Sequence, residues 1–326
     1  GYSIADAQFS LSTQNTSNGT AKGADGTMEF PVLPSYTSAG GSLSVSGNTV
    51  TGKDNNGKAY SIVFDSTGKM TSWTYDGKNL IAEGPDFNSY RKVDNDRNFN
   101  TTFTKATSMS ISNGLTMSGT NATMTVKGGS RYTTVYTFYP DGTVDMKVTF
   151  TPSGSLARIG LGMQFASGFE NVEFYARGPR SNYSDRKTGS YLGRFTTTVD
   201  DMVDEMIHPQ TFGDHEDMRE LILTNKASNV QIGIKAGGRA SFSLSHYDET
   251  KWCTSGDSMW NTKLHWYDLT RNPQVYAHFD YMQRGLGNNS CGGDGCLSDY
   301  VCPSSGSYSY TLRFTPQSGG NVQITE

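Results

Sequence analysis

The sequence has no long hydrophobic run. Its longest apolar stretch, "IGLGMQFA" at 159–166, falls far short of the roughly 20 residues that a helical bilayer span needs. It also has no run of five like charges, and 27 Lys and Arg are nearly matched by 31 Asp and Glu, for a formal net charge of −4. That evenness argues against a nucleic-acid footprint or a polybasic membrane patch, so neither partner is expected. No segment carries a sustained helical period; "TTVDDMVDEMIHP" at 197–209 is the single candidate, and it reads equally well as a loop with one turn. Cysteine is scarce: Cys253, Cys291, Cys296 and Cys302 are the full set, and the last three fall within twelve residues. No signal peptide opens the chain, which starts on Gly1 rather than Met, and this predicts a mature or truncated product of something longer. Sparse charge with abundant Ser, Thr, Asn, Gly and Tyr predicts an exported protein, periplasmic, surface-bound or secreted. Asn-x-Ser/Thr triplets at Asn15, Asn18, Asn100, Asn121, Asn182 and Asn288 are what chance supplies in such a composition.

What the chain has instead is alternation. From Leu43 onward, "SLSVSGNTVTG", "AYSIVFDSTGKMTSWTYDGKNLI" and "RYTTVYTFYPDGTVDMKVTFTP" place β-branched or aromatic residues at every second position. Turn dipeptides interrupt them at Asn56-Gly57, Thr67-Gly68, Asp76-Gly77 and Asp141-Gly142. "NVQIGIKAG", "ASFSLSHYD", "QVYAHFDY" and "YSYTLRFTP" continue the pattern in the second half. Many strands at short, regular spacing predict a large all-β sandwich. Residues 1–42 stand apart: a polar loop at 14–27 between two short apolar strips, then the linker-like "SAGGS" at 38–42. The expected division is therefore 1–42 as the tail of a preceding β-sandwich plus linker, and 43–326 as the main domain.

Five stretches concentrate chemistry. "GLGNNSCGGDGC" at 285–296 has no Lys-Ser/Thr and no following helix, so it is not a phosphate cradle. Its cysteine spacing lacks the C-x2-C pair of a zinc site; a disulfide among Cys291, Cys296 and Cys302, or buried thiols, are the open readings. "VDNDR" at 93–97 sets Asp94 and Asp96 on one side of an extended segment, as paired carboxylates or as a turn-stabilising cluster. "HPQTFGDHEDMRE" at 208–220 gathers His208, Asp214, His215, Glu216, Asp217 and Arg219, read as a loop shaped by its own charges. "RGPRSNYSDR" at 177–186 reads as a turn organised by an Arg–Asp pair around Asp185. Trp252, Trp260, His265, Trp266 and Tyr267 form an aromatic strip suited to sugar stacking, although half of any such strip at strand spacing belongs to the core.

Taken in order, these segments resemble the C-terminal region, the small-chain domain or domain 5, of the bacterial β-galactosidases of glycoside hydrolase family 2. "FDSTGKMTSWTYDGKNLIAEGPDFNSYRKVDNDR" (64–97) is similar to the family's opening hairpin and its DNDR turn. "FYARGPRSNYSDRKTGSYLGRF" (174–195), "HPQTFGDHEDMR" (208–219), "SHYDETKW…KLHWYDL" (245–269) and "MQRGLGNNSCG" (282–292) follow collinearly, so the resemblance covers roughly 45–316.

The resemblance implies a galactose-mutarotase-like β-supersandwich preceded by a short strand segment. It implies a domain that docks on a TIM barrel and on the β-sandwich domains of a parent β-galactosidase. There it would close one side of the pocket for a terminal β-D-galactoside or galactan. Two loops would do this, one at 94–103 and the other the glycine-rich loop, giving Asp94, Asn95, Asp96, Arg97, Asn289 and Cys291 as substrate-binding residues. Cys291 stands where many relatives have a sugar-stacking Trp, His208 where a Tyr is usual, and Ser181 where a Glu is usual. The catalytic Glu pair of the family belongs to the barrel, and no part of this chain resembles that barrel. No catalytic residue, metal ligand or cofactor is therefore assigned here, the family's Mg and Na sites lying in other domains. Two other readings are a free-standing carbohydrate-binding module and an aldose 1-epimerase, the latter needing a carboxylate base and a His acid from among Glu205, His208, His215 and Glu216.

Overall fold

The computed structural model describes residues 30–93, 108–207, 209–252, 265–287 and 295–319. Alternation becomes strand almost wherever the sequence shows it. β1 (Ser42–Ser46), β2 (Thr49–Lys53), β3 (Ala59–Phe64), β4 (Met70–Tyr75) and β5 (Lys78–Asn79) form an antiparallel five-stranded sheet in chain order. β6 (Ile81–Asn88) leaves that sheet, and β7 (Met109–Ser118), β8 (Asn121–Gly128), β9 (Tyr132–Phe138) and β10 (Val144–Phe150) form a second meander. β11 (Arg158–Phe165), β12 (Asn171–Gly178), β13 (Tyr191–Thr198), β14 (Glu220–Asn225) and β15 (Val230–Gly237) come next. β16 (Ser241–Ser245), β17 (Val275–Gln283) and β18 (Tyr308–Ser318) complete the set. A nine-stranded sheet runs β13-β12-β14-β15-β18-β10-β9-β8-β7, and a four-stranded sheet runs β16-β17-β11-β6.

The expected all-β supersandwich is the architecture found. Buried and half-buried residues alternate along β8, β9, β10, β12 and β15, so each presents one apolar face. The inner faces of the large and small sheets meet through Phe87 against Phe150 and Phe279 against Phe314, with ring centroids 6.4 and 6.0 Å apart. Trp73 of β4 reaches the same Phe314 at 5.8 Å and joins the five-stranded sheet to this core. Burial of each such ring contributes about 1.5–3 kcal/mol. The segment at 197–209 resolves as a 3-10 turn at Asp200–Met202; α1 (Glu249–Trp252), a single turn that alternation does not foreshadow, is the one α-helix among the described residues.

The turns follow their glycines. Asp76 and Gly77 both have positive φ, 49° and 71°, the signature of the two-residue hairpin turn whose twist matches its strands. Gly57, Gly68 and Gly142 are likewise left-handed. At the far edge of the large sheet, β7 slips register against β8 between Ile111 and Asn113 and again between Asn113 and Thr116. The stretch before β1 is latched rather than loose. Gly238 N–H donates to the Pro31 carbonyl at 2.6 Å, Tyr36 OH to Asp141 at 2.6 Å, and Arg313 to the Pro34 carbonyl at 3.2 Å.

Candidate functional site

Three of the sequence stretches meet at one end of the four-stranded sheet. β6 ends at Asn88 and β17 at Gln283, and the chain beyond each leads to one of the two segments singled out for sugar binding. Buried Arg91 joins the two stems, its guanidinium donating to the carbonyls of Arg284 and, at 3.3 Å, Gly285. Asp185 accepts from Gly287 N–H at 2.7 Å, and Gly285 N–H donates to the Tyr300 carbonyl at 2.9 Å. A Cβ on Gly285 would lie 2.5 Å from the Asp185 carboxylate and 2.9 Å from Tyr300 Cβ, so only glycine lets the stem approach so closely. Asn182 cements the base: its side chain donates to the carbonyls of Arg177 and Arg180 and accepts from Glu216 N–H, each at 3.0 Å.

Asp94, Asn95, Asp96, Arg97, Asn289 and Cys291 lie outside the described residues, as do Cys253, Trp260 and His208. Several other expectations need correction. Among the described residues Asp185 holds Gly287 rather than a neighbouring arginine; Arg177 pairs with Asp217 at 2.5 Å, and Arg186 sits over the Tyr183 ring. Burial raises the Asp217 carboxyl, but Lys187 and Arg177 outweigh it and the group sits below its ordinary pKa. His215 is a core residue: it stacks on Phe242, its Nδ1 faces the Arg177 carbonyl at 2.9 Å, and burial lowers its pKa. Glu216 is buried against Lys187 at 3.3 Å, and Glu205 is exposed. Cys296 and Cys302 are thiols rather than a disulfide, Cys302 buried with its sulfur 3.8 Å from the Met282 carbonyl. The aromatic strip divides as strand spacing suggests. Trp266 packs between Phe212 and Tyr247, whereas Tyr267 is 79% exposed and stacks on His265.

A second feature was missed in the sequence. The outer face of the four-stranded sheet is polar in three cross-strand rows: Ser241–Asp280–Gly160–Asn88, Ser243–His278–Gly162–Asp86, and Ser245–Tyr276–Gln164–Glu83. Its signal was present as period-two glycines in "RIGLGMQF" and period-two polar residues in "YAHFDY" and "SFSLS". The first row is sealed except at Asn88, which reaches the cleft described below. Arg158 Nε lies 2.9 Å from the Asp280 carboxylate with both side chains fully buried, and burial pushes Asp280 up to about 7 against the pull of Arg158. Asp214, also buried, is driven well above the ordinary carboxylate value by desolvation, with Glu216 and Asp280 adding repulsion. The other two rows open into a cleft of about 220 Å³, walled on one side by Tyr247 and Glu249.

Glu170, Asp200 and His246 could present metal ligand atoms within 4.8 Å of one another. The Arg271 guanidinium already occupies that space, 2.9 Å from Asp200 and 3.3 Å from Glu170, and supplies the positive charge.

The stem geometry is carried by the same collinear motifs that define the sequence's resemblance, and the family described as "Beta galactosidase small chain" matches residues 56–314. The chain belongs to that family. The β-galactosidase of Staphylococcus xylosus is 32% identical over 148 residues, 45% of this chain and 13% of that protein. That of Lactococcus lactis is 27% identical over 194 residues, 58% of this chain and 18% of that one. That of Actinobacillus pleuropneumoniae is 26% identical over 234 residues, 66% and 22%. The small-chain match thus spans 13–22% of the length of these relatives. Among solved structures, the galactose 1-epimerase of Lactobacillus acidophilus is similar with a TM-score of 0.46 at 10% identity, covering 83% of this chain and 95% of that one. A GalM/aldose epimerase homologue from C. elegans gives 0.45 at 8% identity, covering 86% and 99%.

Proposed function

We propose that this small-chain domain serves a β-galactosidase hydrolysing terminal β-D-galactosides, packs on its TIM-barrel domain, and lines one side of the sugar pocket. The observation that carries the reading is the Arg91 bridge. It ties the stem that precedes Asp94, Asn95, Asp96 and Arg97 in sequence to the stem that precedes Asn289 and Cys291, and this supports the reading that the two segments act together. A domain in this role contributes binding and closure, while a retaining or inverting carboxylate pair must come from elsewhere in the parent chain. Export, and a galactoside or galactan as the sugar, belong to the same proposal.

Two measurements test it. The 326-residue chain alone should give no hydrolysis of a chromogenic galactoside at any concentration; turnover that Asp94→Asn or Asp96→Asn abolishes would overturn the proposal. In the full-length enzyme, Asp96→Ala and Asn289→Ala should each raise KM for a galactoside about tenfold, equivalent to about 1.4 kcal/mol, with a smaller change in kcat.

A further inference from the structure

We propose that the cleft on the outer face of the four-stranded sheet, floored by Gly162 and lined by Asn88, Gln164, Tyr276, His278 and Glu249, is a binding site for an uncharged saccharide ring. It is distinct from the loop site above and does not depend on the loops for its argument.

The hydrogen-bonding state of each lining group follows from its neighbours. Asn88 Oδ1 accepts from Tyr90 N–H at 2.8 Å, which fixes its amide and makes Nδ2 the donor to His278 Nδ1 at 3.1 Å. His278 is therefore neutral, with its proton on Nε2; burial, and secondarily Arg158, hold its pKa well below the ordinary value. Nε2 stands 3.6 Å from Glu249 Oε1, too far for a direct hydrogen bond, so a donor and an acceptor both keep capacity for a third group. Tyr276 OH accepts from Gln274 at 3.0 Å and retains its own proton to donate. Gln164 donates to Glu83 at 2.7 Å and retains its carbonyl as an acceptor.

Charge decides the ligand class. No Lys or Arg lines the cleft among the described residues, which excludes an anion. Its four carboxylates are each engaged within the protein: Glu83 by Lys69 at 2.7 Å, Glu249 by Arg158 at 3.5 Å, Asp86 by the Phe87 N–H at 2.7 Å, and Asp248 by the N–H and hydroxyl of Thr250 at 2.9 and 2.6 Å. Their oxygens form no metal-ligating group with His278 among the described residues, which argues against a divalent cation. What remains is a set of neutral donors with neutral and carboxylate acceptors, a combination suited to hydroxyl groups, beside the half-buried rings of Tyr247 and Tyr276 and with a glycine floor that gives a ring access to the sheet. Gly162 has room for that access: the nearest atoms a Cβ there would meet belong to His278 and Asn88, at an ordinary contact distance of 3.5–3.6 Å.

The test is titration of the 326-residue chain with methyl β-D-galactopyranoside and with D-glucose, followed by calorimetry and by chemical shifts of the His278 ring. Saturable binding of one or both, with Kd on the order of 1 mM, is expected for so small a ligand. Tyr276→Phe and Gln164→Ala, each monitored for an unchanged melting temperature, should weaken it about five- to tenfold. Asn289→Ala and Asp94→Ala should leave it unchanged. Binding lost with the two loop variants but kept in Tyr276→Phe and Gln164→Ala would place the sugar at the loops and overturn this proposal, while supporting the loop reading. Absence of saturation at about tenfold the expected Kd, or heat from calcium chloride or inorganic phosphate and none from sugar, would also overturn it.

Discussion

Asp280 is a residue on which the fold acts strongly. Its buried carboxyl is pushed up to about 7 from an ordinary 3.8, with desolvation outweighing Arg158. Between those values the folded chain keeps a proton that the unfolded chain has released, so stability must fall as pH rises through that interval and level off above about 7. Relative to Asp280→Asn, the native chain should therefore lose about 3 kcal/mol between pH 4 and 7, read from urea melts across that range. Identical pH profiles for the two chains would mean that the carboxyl ionises freely in the fold. Little of this was legible beforehand. Asp280 sat in a visible alternation, but which face of that strand would be sealed beneath Arg158 depends on β11, more than a hundred residues earlier in the chain. The role of His215 was open for the same reason: a histidine in a charged stretch is indistinguishable in sequence from one stacked on Phe242.

At the scale of the element, sequence was a good guide, because strands and hairpins are local. Alternation located nearly every strand, and the turn dipeptides at 56–57, 67–68, 76–77 and 141–142 carry left-handed glycines. The β4–β5 turn offers a clean measurement. Gly77 has φ 71° and a Cβ there would touch nothing within 4 Å, so Gly77→Ala isolates backbone strain from packing. The substitution should destabilise by about 1 kcal/mol, seen as a lower urea midpoint at constant slope. Helical turns fared worse. α1 spans four residues, too few for a period to declare itself, and is positioned by tertiary contacts such as Glu249 with Arg158.

For the whole molecule, the all-β class was legible, but the strand order was not. β18 inserts between β15 and β10, and β6 joins β11 across the meander, pairings set by long-range burial rather than by any local signal. The two stems of the proposed sugar site illustrate the point: their motifs could be quoted, yet Arg91 as the bridge between them emerges only from the packing. Residues 30–41 carry a similar lesson, since a Gly/Ser-rich stretch that reads as a linker follows a run bonded across the large sheet. Tyr36→Phe, which removes the 2.6 Å bond to Asp141, should lower stability by about 1 kcal/mol without altering the strand spectrum by circular dichroism. Finally, among the described residues the nine-stranded sheet does not close and so has two borders where another chain could add itself. β7, the border beside the meander, is twice out of register and carries Ser110, Ser112, Asn113 and Gly114 along its length. A strand so kinked and hydroxylated is a poor template for intermolecular pairing, and this gives a long, open sheet a built-in resistance to fibrous aggregation at that border.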